Sequence, residues 1–202
     1  MSKLRNFIIV AFLCFVTVVM AQTANDRPLF DVTGSVKTIK SKSGNLSEVI
    51  ECQSVTFSKT GAMTKINGVM LAMHGTKITS RTNGLPTKAR LTMIDDAGET
   101  PYDVSMRYNA KHKLVKASSA HPMDDYELTF SYDAAGRVKS MEIGSSIEGR
   151  LLTYKYISFD TKGNWTKRSV VIKYFSCDAN GKKRFIDSMT ERETEIRTIT
   201  YY

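Results

Sequence analysis

The stretch Tyr132-Asp133-Ala134-Ala135-Gly136-Arg137-Val138 decides how this chain is read. It recurs as Phe159-Asp160-Thr161-Lys162-Gly163-Asn164-Trp165 and as Phe30-Asp31-Val32-Thr33-Gly34-Ser35-Val36. Phe57-Ser58-Lys59-Thr60-Gly61-Ala62-Met63 carries Ser for Asp, and Tyr108-Asn109-Ala110-Lys111-His112-Lys113-Leu114 carries Asn for Asp and His for Gly. Weaker copies surround Gly84, Gly98 and Gly181. A repeat of this kind is the first thing to settle in a sequence, because it names the building unit. Each good copy has an aromatic residue first and a large apolar residue six positions later. That spacing predicts a hairpin closed by a three-residue loop, a type I turn followed by a left-handed residue. The aromatic and the apolar residue then face each other across the strands, a pairing that stabilises by about 0.2–1 kcal/mol. Asp, Asn and Ser suit the first turn position because their side chains bond nearby amides. Gly takes the left-handed position without steric cost. His112 is the departure, tolerated but strained.

Between the turns the residues alternate as half-buried antiparallel strands do. Tyr126, Leu128, Phe130 and Tyr132 share one face, opposite Glu127, Thr129 and Ser131. Tyr102, Val104, Met106 and Tyr108 alternate with Asp103, Ser105 and Arg107. Breaks at Ser43-Gly44-Asn45, Asn67-Gly68, His74-Gly75, Gly144-Ser145-Ser146 and Glu148-Gly149 supply the opposite turns. Residues 189–196 have a composition that suits a helix, but strand is favoured through to Tyr202. The expected fold is all-β: an antiparallel meander of repeated hairpins, forming an open curled sheet, a sandwich or a partial barrel. Residues 22–27 read as a loose leader.

The first 21 residues read as a signal peptide. Lys3 and Arg5 precede an apolar run from Phe7 to Met20, and Val19-Met20-Ala21 offers a cleavage site before Gln22. No other long apolar run follows, so no transmembrane segment is expected after cleavage. The expected location is periplasmic or extracellular, at the cell surface. Cleavage takes 21 of 202 residues and leaves 181, read as a single β-hairpin repeat domain over 22–202. It removes two of 29 basic residues and none of the 20 acids, which leaves a net charge of +7. That excess is scattered through strand-like segments and reads as a solvated β surface, so nucleic acid is not expected as a partner. Cys52 and Cys177 remain in the mature chain, each in a β-like run, and are expected to be free and mostly buried.

Chemistry-bearing motifs are absent or weak. There is no Gly-x-Ser-x-Gly elbow, P-loop or dinucleotide fingerprint. His74, His112 and His121 lack partners at metal-ligand spacing, so neither a metal nor a cofactor is expected. Asp124-Asp125 beside His121, and Asp95-Asp96-Ala97-Gly98-Glu99, read as solvated acidic turns. Trp165 occupies the apolar position of its repeat and reads as core. Tyr154 and Tyr156, with Arg150 and Lys155 beside them, are the candidate binding residues, since aromatics flanked by cations can stack on sugar rings. No catalytic residue stands out.

Tyr132-Asp-Ala-Ala-Gly-Arg-Val-Lys-Ser140 resembles the YD repeat of Rhs-type proteins. Phe159-Asp-Thr-Lys-Gly-Asn-Trp-Thr-Lys167 is similar to a variant of small exported proteins of Bacteroidetes-like bacteria. The resemblance implies β-hairpin repeats and an envelope or cell-surface setting. In the large members such repeats build a hollow shell around a toxin domain. This chain is too short to close such a shell, so the resemblance implies no toxin activity. Two readings follow: a non-enzymatic binding or scaffold module of the envelope, with a glycan or a protein as partner, or a carbohydrate-active or other hydrolytic enzyme on an open sheet. The second predicts a cleft with two close carboxylates. A third, pairing of a partner strand with an exposed edge, points to Ile196–Tyr202.

Overall fold

The computed structural model describes residues 23–50, 52–71, 75–95, 98–120 and 126–202. The signal segment, His74, His121, Asp124 and Asp125 lie outside the described residues. After a short 3-10 helix, Arg27–Phe30, the strands are β1 (Val36–Ser43), β2 (Ser54–Phe57), β3 (Met63–Ile66), β4 (Val69–Met70), β5 (Lys77–Thr82), β6 (Leu85–Asp95) and β7 (Gly98–Tyr108). They continue with β8 (Leu114–Ala120), β9 (Glu127–Tyr132), β10 (Val138–Gly144), β11 (Glu148–Phe159), β12 (Trp165–Cys177) and β13 (Lys183–Tyr201). All belong to one 13-stranded antiparallel sheet in the order β4-β3-β2-β1-β13-β12-β11-β10-β9-β8-β7-β6-β5. The all-β meander expected from the repeats is what forms, and it is not closed into a barrel.

The repeat builds the turns as its spacing requires. Tyr132 lies opposite Val138, Phe159 opposite Trp165, Phe57 opposite Met63 and Tyr108 opposite Leu114. In each, the second residue of the motif exchanges backbone hydrogen bonds around the loop. Asp133 N–H donates to the Arg137 carbonyl at 2.9 Å, and Gly136 N–H donates to the Asp133 carbonyl at 2.9 Å. The Asp133 carboxylate also accepts from Arg137 N–H at 3.0 Å. Gly136 and Gly163 have φ of 76° and 79°, and His112 holds the same left-handed position at 58°. Because the connections alternate ends, the four hairpin turns of these copies share one rim.

Two expectations are corrected. Phe30–Val36 matches the motif but makes no hairpin: Phe30 ends the 3-10 helix, and Asp31 itself is left-handed at φ 47°. The segment read as a loose leader is bound from Asn25 onward. Asp26 is fully buried. Its N–H donates to the Gly61 carbonyl at 2.9 Å, and Asn25 N–H donates to the Gly84 carbonyl at 2.9 Å. Its carboxylate accepts from Met63 N–H at 2.7 Å and from Arg81 at 2.6 and 3.1 Å. One side chain thus joins β3, next to the end strand β4, to β5 at the other end of the sheet. From there residues 26–33 cross the rim, burying Leu29, Phe30 and Val32, and reach β12 and β13.

A single apolar cluster draws on β1 through β3 and on β6 through β12, including Ile39, Val55, Ile66, Leu91, Val104, Leu114, Leu128, Met141, Leu152 and Val170. Residues so far apart across the strand order meet only because the sheet curls over one face. Leu46, Val49, Ile50 and Cys52, from the connection between β1 and β2, pack into the same cluster. Cys52 and Cys177 are free, Cys52 buried and Cys177 half-buried. Burial pushes the Cys52 thiol up to about 12.

Asp26→Ala leaves the Arg81 guanidinium and the Met63 amide without their acceptor. The expected loss is about 3–5 kcal/mol, the range for breaking a buried pair, read as a lower urea midpoint. Asp26→Asn, which keeps an acceptor oxygen, is expected to lose less. His112→Gly relieves a left-handed side chain, set against the greater unfolded freedom of glycine. A gain of about 0.5–1 kcal/mol is expected from the same measurement.

Candidate binding surface

The structure divides the residues singled out from the sequence. Tyr154 and Tyr156 point into the curl, where Tyr154 is buried and the Tyr156 hydroxyl donates to the Val138 carbonyl at 2.9 Å and to Asp31 at 3.2 Å. Burial raises both phenols above their ordinary range. Lys155 lies between them on the opposite face and is exposed. Arg150 pairs with Glu48 at 3.2 Å. The four residues therefore do not form one stacking platform.

Trp165 is buried, as its place in the repeat suggested, but its neighbours are cations. The Arg168 guanidinium lies 4.1 Å from the indole centroid and 3.9 Å from the Tyr154 ring. The Arg197 guanidinium lies 3.6 Å from the indole. Arg168 pairs with buried Glu195. Arg197 donates to the carbonyls of Trp165, Phe30 and Asp31 at 2.8, 2.8 and 3.1 Å. Burial pulls Arg197 down to about 9. The stack is a clamp on the strap at 26–33, and its two guanidinium groups are spent on the fold. Its residues stand among exposed charges in a polar strand, and only pairing of β1 with β13 shows that they face inward.

The outer face carries the pocket. Glu127 lies opposite Gly144, Gly144 opposite Gly149, Gly149 opposite Phe175, and Phe175 opposite Phe185. Glu142 lies opposite Thr129 in the neighbouring row. Tyr174 and Ile172 alternate inward, so Phe175 stands on the outside, yet it is only 2% exposed. Glycine is the reason. A Cβ at Gly149 would lie 2.5 Å from the tip of the Phe175 ring, so the ring can lie over the strands only where no side chain stands. Phe185 covers it edge-on, with centroids 5.7 Å apart. Beside this ring is a pocket of about 340 Å³ lined by Glu127, Thr129, Glu142, Ser145, Ser146 and Lys183 with the ring itself and Gly144. Lys183 bonds Glu142, and Lys116 bonds Glu127. The pocket thus holds fixed donors and acceptors with its charges already paired. The sequence showed Gly144 and Gly149 only as turn signals; their registration across β10 and β11 is what makes the floor.

The edge expectation is corrected as well. Ile196–Tyr201 pairs with β1 on one side, and β13 runs beside β12 on the other. The open edge lies further back, where Lys183–Thr194 borders β12 and no described residue pairs with it from the β1 side. It exposes Phe185, Ile186 and Met189. This edge carries the devices that discourage strand addition: an irregular step between the Thr190 and Phe185 pairings, and the charges of Glu191, Arg192 and Glu193.

Among the described residues, no group of three or more His, Cys, Asp or Glu could hold a metal ion, and no helix is long and apolar enough to cross a membrane. No protein-family model matches the chain, and no curated protein matches it.

Replacing Glu191 and Glu193 together by Val removes two of the three charges that guard the open edge. Self-association beyond that of the parent chain is expected in light scattering at rising concentration. An unchanged mass would mean that the irregular step alone blunts the edge.

Proposed function

We propose that this protein is an exported, non-enzymatic binding module of the bacterial envelope, built from YD-like repeats, whose ligand is a glycan or a protein. The observation that carries the reading is the pocket on the outer face. It is walled by rigid strands, its polar groups point outward, and its two carboxylates are each held by a lysine. The turn motif closes hairpins and the curl is filled with side chains, so the outer face is what remains for recognition. Export is supported by the signal-like residues 1–21.

A hydrolytic reading keeps one specific observation in its favour: Glu127 and Glu142 line the same pocket. Against it, both are accessible to water and ion-paired, whereas a general acid at neutral pH needs an environment that keeps it protonated. The test is affinity electrophoresis of residues 22–202 through gels containing envelope polysaccharide or envelope protein extract, with a parallel assay for new reducing ends and peptide fragments. Retardation without products is expected. Products lost in Glu142→Gln would establish the enzyme instead.

A further inference from the structure

We infer that the outer-face pocket takes a neutral sugar unit of a glycan chain, held by Glu142, Lys183, Ser145 and Ser146 above the buried Phe175 ring; this rests on the binding-module reading above. The size is the first argument. A pocket of about 340 Å³ falls at the small end of the roughly 300–1,000 Å³ that ligand sites occupy.

The lining is the second. A sugar ring presents hydroxyls around its rim, each both donor and acceptor, and C–H groups on its faces. The pocket offers a matching set. Glu127 and Glu142 accept, Lys183 donates, and Thr129, Ser145 and Ser146 do both. Hydrogen bonds to ionised groups are about twice as strong as neutral ones, so such a set can hold hydroxyls against competition from water. Phe175 is the buried base of the recess, its ring tip lying over Gly144 and Gly149, so the hydroxyl contacts carry the seating.

The charge state is the third argument, and it selects neutral over ionic ligands. Lys183 already neutralises Glu142, and Lys116 already neutralises Glu127. A charged ligand would have to displace one of these partners. A neutral polyol adds to them, because each carboxylate keeps lone pairs after one lysine contact. The ion pair itself sets a donor beside an acceptor, which is what adjacent hydroxyls of a sugar require.

The experiment uses the mature chain and calorimetric titration with neutral tetrasaccharides of glucose, mannose, galactose and N-acetylglucosamine. A sialylated oligosaccharide, a sugar phosphate and a dialanine peptide are the charged arms. Binding of at least one neutral series is expected. Raising salt from about 0.05 to about 0.5 M should change that affinity less than about twofold, since no net charge is exchanged. Glu142→Gln should weaken it about tenfold, the scale of one charge-assisted hydrogen bond. Ser146→Trp, on an exposed turn, should abolish it by filling the pocket. Arg90→Ala, an outer-face change away from the pocket, should leave it unchanged. Circular dichroism of each variant confirms that the sheet has formed. The proposal is overturned if no neutral series binds, if a charged arm binds more tightly, or if Ser146→Trp binds as the parent does. That last result would leave a glycan-binding module with its site elsewhere. New reducing ends during the titration would instead overturn the module reading itself.

Discussion

One buried carboxylate fixes how the two ends of the sheet meet. The two free ends of the 13-stranded meander are β4 and β5, and these are consecutive in the chain, so the short connection from Met70 to Lys77 already keeps them near each other. Asp26 adds a second tie, from β3 beside one end to β5 at the other, with one oxygen on Arg81 and the other on both Arg81 and the Met63 amide. A charge taken wholly out of water is costly unless paired and fully hydrogen-bonded. Here the cost is offset only when β3 and β5 stand at the distance that lets one carboxylate reach both. That geometry fixes the spacing of β3 and β5 at this rim and the start of the strap.

The other end of the strap is held by a second cationic device. Arg197 receives the carbonyls that the 3-10 helix and the turn after it leave unmatched, and it is packed flat on Trp165. Guanidinium suits the place because its fork can meet several carbonyls at once while its face stacks on a ring. Glu195 balances the neighbouring Arg168. The interior at this rim is therefore a satisfied polar layer above an apolar core. Among the described residues, the buried polar atoms without a hydrogen-bond partner are Arg27 Nε on the strap, the Tyr108 hydroxyl and the Trp165 indole N–H in the stack.

What the sequence made legible was local. Asp133, Asp160, Asn109 and Ser58 with their glycines or His112 specify turns through bonds spanning a few residues, and the spacing alone predicts them. The alternation of Leu128 and Phe130 against Glu127 and Thr129 reads correctly for the same reason. The missed features are the non-local ones. Asp26 acts across 37 residues to Met63 and 55 to Arg81, and Arg197 acts across 167 to Phe30. Neither carries a local mark. Phe30–Val36 shows the converse: a good motif whose flanks do not pair makes no hairpin, because its chain is drawn across the rim instead. The inward placement of Tyr154 and Tyr156 was not legible, because periodicity says that alternate residues share a face without saying which face is buried.

The binding surface follows from where glycine falls in register. Over much of the described sheet the outer face is a carpet of Ser, Thr, Lys and Glu. At Gly144 and Gly149 two adjacent strands lose their side chains at the same level. Left bare, that gap would weaken the strands, since glycine contributes no cross-strand packing. Phe175 covers Gly149 from the next strand and so restores packing to the pair. Its ring tip reaches Gly144 too, and Lys183 lies over the ring while it pairs with Glu142. A repair that stabilises the sheet thus leaves a recess with paired charges at its lip, and every residue that lines it keeps its structural role.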